Sequence, residues 1–213
     1  MIAPLNDIEI RILGCLMEKA LSTPDHYPLS LNALTHACNQ KSSRDPVVTY
    51  TEPDVQAVLE DLEDKGLVNQ SRVGRVPKYE ERLTSTQNLV PRESAVLCVL
   101  MLRGPQTVGQ IRGRTGRLCH FASLEAVSET LEKLLERELA QRQARLPGRK
   151  EARFRHLLGG QAEPDPSGLG APPATPHAGL AARVDHLEAE LARLSEDLAR
   201  LAQAFREFKA QFE

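Results

Sequence analysis

Tryptophan is missing from this chain, and aromatic side chains make up only 4% of its 213 residues. A core built from such a sequence must be aliphatic, filled by Leu, Val, Ile and Ala rather than by large rings. Cysteine is also scarce: Cys15, Cys38, Cys98 and Cys119 are scattered, with no C-x-x-C pair and no His at ligand spacing. This argues against a disulfide framework or a metal site, and for small core residues or incidental thiols in a reducing cytoplasm. No apolar run approaches the roughly 20 residues of a bilayer span, so no membrane association is expected. The opening Met-Ile-Ala-Pro-Leu-Asn-Asp-Ile-Glu has no basic stretch ahead of an apolar one, so no signal peptide is expected. An excess of one charge is missing too. The formal net charge is −2, residues 1–160 hold 22 Lys and Arg against 20 Asp and Glu, and residues 161–213 hold 5 against 9. Any nucleic-acid contact must therefore come from local patches.

Catalytic signatures are absent as well. The sequence contains no H-E-x-x-H, no G-x-S-x-G and no G-x-x-x-x-G-K-[ST], and Arg112-Gly-Arg-Thr-Gly-Arg117 lacks a preceding strand and a phosphate-cradling Lys-Ser/Thr. His26, His36, His120 and His156 fall in loops or at element ends, unpaired with acids or thiols. The expectation is a non-enzymatic protein without cofactor or metal.

What the chain does contain is one theme stated twice. Glu9, Ile12, Leu13, Leu16, Met17 and Lys19 recur as Glu93, Val96, Leu97, Leu100, Met101 and Arg103, an offset of 84 residues. Ser30, Leu31 and Leu34 recur as Thr107, Val108 and Ile111 at an offset of 77, and Val55, Leu59, Leu62, Lys65 and Leu67 recur as Val127, Leu131, Leu134, Arg137 and Leu139 at 72. Length changes confined to connections, with element faces kept, are the mark of duplicated domains.

Each copy reads as three helices and a hairpin. Ile8, Ile12, Leu13, Leu16 and Met17 form a helical stripe that ends at Ser22-Thr-Pro-Asp-His-Tyr-Pro28. Ser30 caps a second helix bearing Leu31, Leu34 and Cys38, and Thr51-Glu-Pro-Asp54 starts a third that stops at Gly66. Leu67-Val68 then opens a hairpin that turns at Val73-Gly74-Arg75 and returns over Lys78–Leu83. The second copy predicts helices over 92–103, 107–115 and 123–138 and a hairpin over 139–158. The fold class expected is mainly α with small β-hairpins (α+β). It comprises a winged helix-turn-helix domain over 1–88, a second over 89–158, a Gly/Pro/Ala-rich disordered linker over 159–179 and a coiled-coil helix over 180–213. In that last helix Val184, Leu191, Leu198, Phe205 and Phe212 occupy one heptad position, and Leu180, Leu187, Leu194, Leu201 and Phe208 the other. Such a stripe needs a partner, which predicts a homodimer, with a trimer or fold-back as alternatives.

Several runs resemble the YceH-like family of uncharacterised bacterial proteins with tandem winged-helix domains. In the first copy they are Tyr27-Pro-Leu-Ser-Leu-Asn-Ala-Leu34 and Ala37-Cys-Asn-Gln-Lys-Ser-Ser-Arg-Asp-Pro-Val47. In the second they are Leu100-Met-Leu-Arg-Gly-Pro-Gln-Thr107, Leu146-Pro-Gly-Arg-Lys-Glu151 and Arg155-His-Leu157. The resemblance covers about residues 5–158 and implies the fold and a cytoplasmic setting, but no activity.

Basic residues gather where a winged helix meets a duplex. Arg72, Arg75 and Lys78 lie on the first hairpin, and Arg145, Arg149, Lys150, Arg153 and Arg155 on the second. Arg112, Arg114 and Arg117 follow on the second copy's middle helix and turn, and Lys41 and Arg44 on the first copy's helix-turn-helix turn. These are the candidate phosphate contacts to duplex DNA; the bland alternatives are solubilising charge on exposed hairpins and an Arg44–Asp45 brace of a long loop. Against DNA, the first copy's third helix carries six acids against Lys65, and residues 123–138 carry five against Lys133 and Arg137. Acidic helices are repelled by phosphates, and Gln56 is the sole obvious base reader in the first. Acidic third helices docking a basic protein partner is the second expectation.

Overall fold

The computed structural model describes residues 3–71, 76–143 and 151–159. The ten seam positions predicted over 180–213, like the linker beyond Gly159, lie outside the described residues. The chain is α+β, and its element order runs twice through helix, short strand or bridge, helix, helix and hairpin. The first pass comprises α1 (Asp7–Ser22), β1 (Leu29–Ser30), α2 (Leu31–Cys38), α3 (Glu52–Asp64), β2 (Val68–Ser71) and β3 (Lys78–Glu81). A short α4 (Leu83–Thr86) leads into the second: α5 (Pro91–Arg103), α6 (Val108–Thr115), α7 (Leu124–Glu136), β4 (Ala140–Arg142) and β5 (Phe154–His156).

Helix starts are set by local chemistry that the repeat preserves. Asn6 Oδ1 accepts from Glu9 N (2.9 Å), and Glu9 Oε2 accepts from Asn6 N (2.8 Å), closing a reciprocal cap on α1. In α5 Pro91 occupies the first turn and Glu93 accepts from Val90 N (3.1 Å). Thr51 with Asp54, and Thr107 with Gln110, close reciprocal caps on α3 and α6. Ser123 caps α7 alone, accepting from Ala126 N (3.3 Å). The ends of α3 and α7 match as well. Gly66 (φ 68°) and Glu138 (φ 54°) take the left-handed conformation at equivalent positions. Beyond them Leu67 N and Leu139 N each donate back into the helix, to Leu62 O and Leu134 O, both at 2.9 Å.

In the first sheet β3 is central, antiparallel to both β1 and β2, with Tyr79 opposite Leu29 on one side and Gln70 on the other. In the second, β4 and β5 pair antiparallel, and the equivalent of β1 shrinks to one bridge. There Gln106 N donates to Phe154 O (2.9 Å) and Phe154 N to Gln106 O (2.8 Å). Gln106 stands 77 residues after Leu29, the offset of its neighbours.

Every residue from Glu9 to Met17 in α1, and from Glu93 to Leu102 in α5, is buried. A helix buried on all sides is a central element, covered on more than one face. One face of α1 packs on α2 and α3 and another on α5, which packs likewise on α6 and α7. At the crossing the repeat meets itself: Gly14 and Cys98, 84 residues apart, touch, with Cys98 Sγ 3.4 Å from Gly14 O. A Cβ on Gly14 would come within 2.8 Å of Leu102 Cδ2 and 3.3 Å of Met101 Cβ, so any larger residue there would force Leu102 to shift. The core is aliphatic, as composition demands, and Cys15, Cys38 and Cys98 are buried in it as free thiols. The two passes thus form one compact unit, Met1–Ala162, with Leu5 N donating to Leu158 O (2.8 Å) where its two ends meet.

Candidate functional site

A cleft of about 850 Å³ opens where the two passes meet. The last turn of α1 and the loop after α2 form one wall; the last turn of α5 and the end of α6 form the other. Five cations line it, Lys19 and Lys41 from the first pass and Arg103, Arg114 and Arg117 from the second. Hydroxyl and amide groups of Ser22, Thr23, Gln40, Ser42 and Ser43 add donors, and Cys98, Val99, Leu102 and Leu118 supply apolar wall.

The only carboxylate in that lining is Glu18, and it is already committed. Arg44 Nη2 and Nη1 bind its two oxygens at 2.6 and 3.1 Å, and Lys19 Nζ lies 3.6 Å away. Burial alone would raise the Glu18 pKa, but the guanidinium outweighs it and holds the carboxyl below its ordinary value. Arg44 also donates to Ala37 O (3.1 and 3.0 Å), Ser43 O (3.0 Å) and Gln40 Oε1 (3.2 Å). Its side chain is wholly buried. This corrects the expectation for Arg44: it offers no charge to a duplex, and it braces the loop through Glu18 rather than its neighbour Asp45. Asp45 N instead donates to Leu102 O (2.9 Å), pinning the loop to the second pass. The wall carrying Lys41 is therefore preformed.

On the opposite wall Arg114 Nη1 donates to Gln106 Oε1, which fixes the guanidinium beside Arg103. Partial burial, with Arg114 and Arg44 close by, pulls the Arg103 pKa below the ordinary arginine value. Lys41, Arg103 and Arg117 enter no ion pair among the described residues. Of the residues singled out from sequence, then, Lys41, Arg114 and Arg117 come together. Lys19 and Arg103 complete the set and were missed as site residues. Their signal was present, because they are the equivalent cations that close the first stripe of each copy. Gln40 and Arg117 are equivalent too, each two residues beyond its helix.

The remaining candidates lie elsewhere. Lys78 is exposed at the start of β3, and Arg112 is exposed on α6 with Nη2 donating to Ala122 O (3.1 Å). Arg153 and Arg155 are half-buried on the second hairpin, where Arg155 Nε donates to Gln141 Oε1 (3.1 Å). Arg72, Arg75, Arg145, Arg149 and Lys150 lie outside the described residues. Gln56, the base reader expected on α3, has both ends of its amide engaged: its carbonyl accepts from Tyr79 Oη (3.1 Å) and its NH2 donates to Glu60 (3.3 Å). The acids of the third helices are displayed, with Glu60, Asp61 and Asp64 exposed on α3 and Glu125, Glu129, Glu132 and Glu136 on α7. Among the described residues no group of three His, Cys, Asp or Glu could hold a metal, and no helix is long and apolar enough to cross a membrane.

Two paired charges explain another repeated motif. The buried Glu9 receives Lys65 Nζ from the end of α3, and the buried Glu93 receives Arg137 Nη1 (2.9 Å) from the end of α7. Glu9/Glu93 and Lys65/Arg137 recur because each pair ties the first helix of a pass to its third.

Residues 5–149 match the family described as "Protein of unknown function, DUF480", and the chain belongs to that family. Its relatives include a UPF0502 protein of Solibacter usitatus, 47% identical over 98% of both chains. Another, from Geobacter metallireducens, is 48% identical over 98% of both. A more distant one, from Vibrio atlanticus, is 40% identical over 92% of this chain and 94% of its own. Membership of an uncharacterised bacterial family, expected from the YceH-like resemblance, is thereby shown.

Proposed function

We propose that the protein is a non-enzymatic, DNA-binding tandem winged-helix protein, a regulator or architectural factor that self-associates through residues 180–213. The observation that supports this best is the order helix, strand, helix, helix, hairpin, in which β1 pairs with the returning hairpin strand and the second pass keeps that pairing as the Gln106–Phe154 bridge. That is the topology by which winged helices present a hairpin beside a helix-turn-helix. Lys78, Arg112 and Arg153, with the hairpin cations Arg72, Arg75, Arg149 and Lys150, then contact phosphates rather than base edges. Affinity comes from counterion release and carries little sequence preference. The test is fluorescence anisotropy of a random duplex titrated with the full chain across a salt series. Binding at low salt, with a slope shallower by about 2–3 in an Arg149, Lys150 and Arg153 triple alanine variant, is the expected result. Absence of binding at low salt would end the proposal.

One observation favours a second reading. The exposed acids on α3 and α7 suit a basic protein partner better than a phosphate backbone. A nuclease-insensitive, stoichiometric complex abolished by charge reversal at Glu60 and Asp61 would establish that reading in place of the first.

A further inference from the structure

The geometry points to the inter-repeat cleft as a binding site for a small organic polyphosphate, of the size and class of a nucleoside di- or triphosphate. The inference rests on the cleft alone and stands whether or not duplex DNA is bound.

The charge argument comes first. Lys19, Lys41, Arg103, Arg114 and Arg117 converge on one concave space, and the single carboxylate in its lining is held by a buried arginine outside it. Clustered like charges disfavour the empty site, and a multivalent anion relieves that repulsion; burial first, and then Arg114 and Arg44, lower the Arg103 pKa. Three of the five are arginines, whose planar donor forks match phosphate oxygens. Ser22, Thr23, Ser42 and Ser43 add hydroxyl donors of the kind that bind phosphate oxygens without charge.

Shape decides between a free anion and an organic one. A volume of about 850 Å³ is far more than one phosphate needs and falls in the usual range for organic ligands. Val99, Leu102 and Leu118 offer apolar wall for a part of the ligand that is not phosphate. The equivalent cations Lys19 and Arg103 bring one charge to the lining from each pass, and Lys41, Arg114 and Arg117 bring more than one phosphate needs. Preorganisation supports the same reading, since Arg44, Asp45 and Gln106 hold the two walls before any ligand arrives. A ligand there touches both passes at once, which makes the cleft a place where a metabolite could alter how the two are held together.

The experiment uses the full chain at low salt, with calorimetric titration and thermal melts. The probes are ADP, pyrophosphate, inorganic phosphate, adenosine and a short oligothymidylate. ADP and pyrophosphate are expected to bind with a Kd below about 100 µM and to raise Tm, inorganic phosphate about tenfold more weakly, and adenosine not measurably. Arg103→Gln and the exposed Arg117→Gln should each weaken ADP about tenfold, the loss expected for one charge-assisted contact. Lys133→Gln, an exposed cation on α7 outside the cleft, should leave ADP binding as it was. No Tm change at about 1 mM ADP, a concentration at which such a Kd gives a clear linkage shift, overturns the proposal. ADP affinity unchanged from the parent in both arginine variants overturns it, as does weakening by Lys133→Gln equal to theirs. Oligothymidylate binding tighter than ADP and lost in the same two variants would assign the phosphates to a nucleic-acid strand and overturn the small-molecule assignment.

Discussion

Replacing Lys65 with Met removes the ammonium that faces Glu9 while keeping the aliphatic stem. Glu9 is only 1% exposed, and its carboxylate retains one other partner, the Asn6 N–H at 2.8 Å. Breaking a fully buried ion pair by deleting one member costs about 3–5 kcal/mol, because the remaining charge is stranded. Here the lysine side chain is 33% exposed, so water reaches the site from its side and the capping N–H still holds one oxygen. The expected loss is therefore smaller, about 2 kcal/mol, near that of a hydrogen bond to a charged group. Arg137→Met should behave alike, since its side chain is 32% exposed and Glu93 keeps the Val90 N–H. It should lose somewhat more, because Arg137 Nη2 also donates to Gln87 O. Urea unfolding followed by far-UV circular dichroism gives both losses. Adding Glu9→Gln to Lys65→Met should recover about 1 kcal/mol, since a neutral amide without its cation strands no charge. A loss under about 0.5 kcal/mol for Lys65→Met, or no recovery in the double variant, would refute the claim that these pairs tie helices together.

Three further predictions follow from the same packing. Burial, helped by Arg155 and opposed by Asp7, lowers the His156 pKa to about 4, and its Nδ1 has no hydrogen-bond partner among the described residues. The unfolded chain takes up that proton near pH 6.5 and the folded chain does not, so stability is lost as pH falls from 6.5 towards 4. Unfolding at pH 7.5 and 4.5 should show about 2–3 kcal/mol more acid sensitivity in the parent than in His156→Leu, and equal sensitivity would contradict the buried neutral ring. Gly14→Val should cost about 2–3 kcal/mol by urea unfolding, since the new side chain meets Leu102 and the rigid stem of Met101; a neutral effect would mean α1 and α5 do not cross so closely. Glu138→Gly should raise stability by about 0.5–1 kcal/mol, releasing a side chain from φ 54°, and a lowered midpoint would show that this carboxylate has an interaction of its own.

Much of this architecture is legible in the residues, for physical reasons. Pro91 and Gly104 bound α5 at Pro91–Arg103 and the Ser123 cap starts α7 at Leu124–Glu136, close to the 92–103 and 123–138 read from pattern. Strand β1 was not read, because two residues carry no alternation and Ser30 was taken up as a helix cap, a role it also fills. The depth of α1 was underestimated. Its stripe of Ile12, Leu13, Leu16 and Met17 accounts for one face, whereas Gly14 meets α5 on another and Ile10 and Cys15 are buried as well. The unbroken apolar run Ala95–Leu102 was the available sign. The cleft was legible only in fragments: Lys41, Arg114 and Arg117 stood out as charges, but nothing local says that a loop after α2 faces the end of α6. Arg44 shows the limit in the other direction, since a guanidinium that serves a carboxylate 26 residues away looks in sequence like one that serves a phosphate.

The contact between Gly14 and Cys98 has an evolutionary reading. A contact between equivalent residues of two copies is what an internal dyad would produce, the arrangement of a symmetric pair of identical subunits. Covalent fusion frees such a pair from the obligation to mutate both sides together. One side of the dyad can then carry Gln40 where the other carries Arg117, and a socket that began self-complementary can evolve a preferred orientation for an unsymmetrical guest.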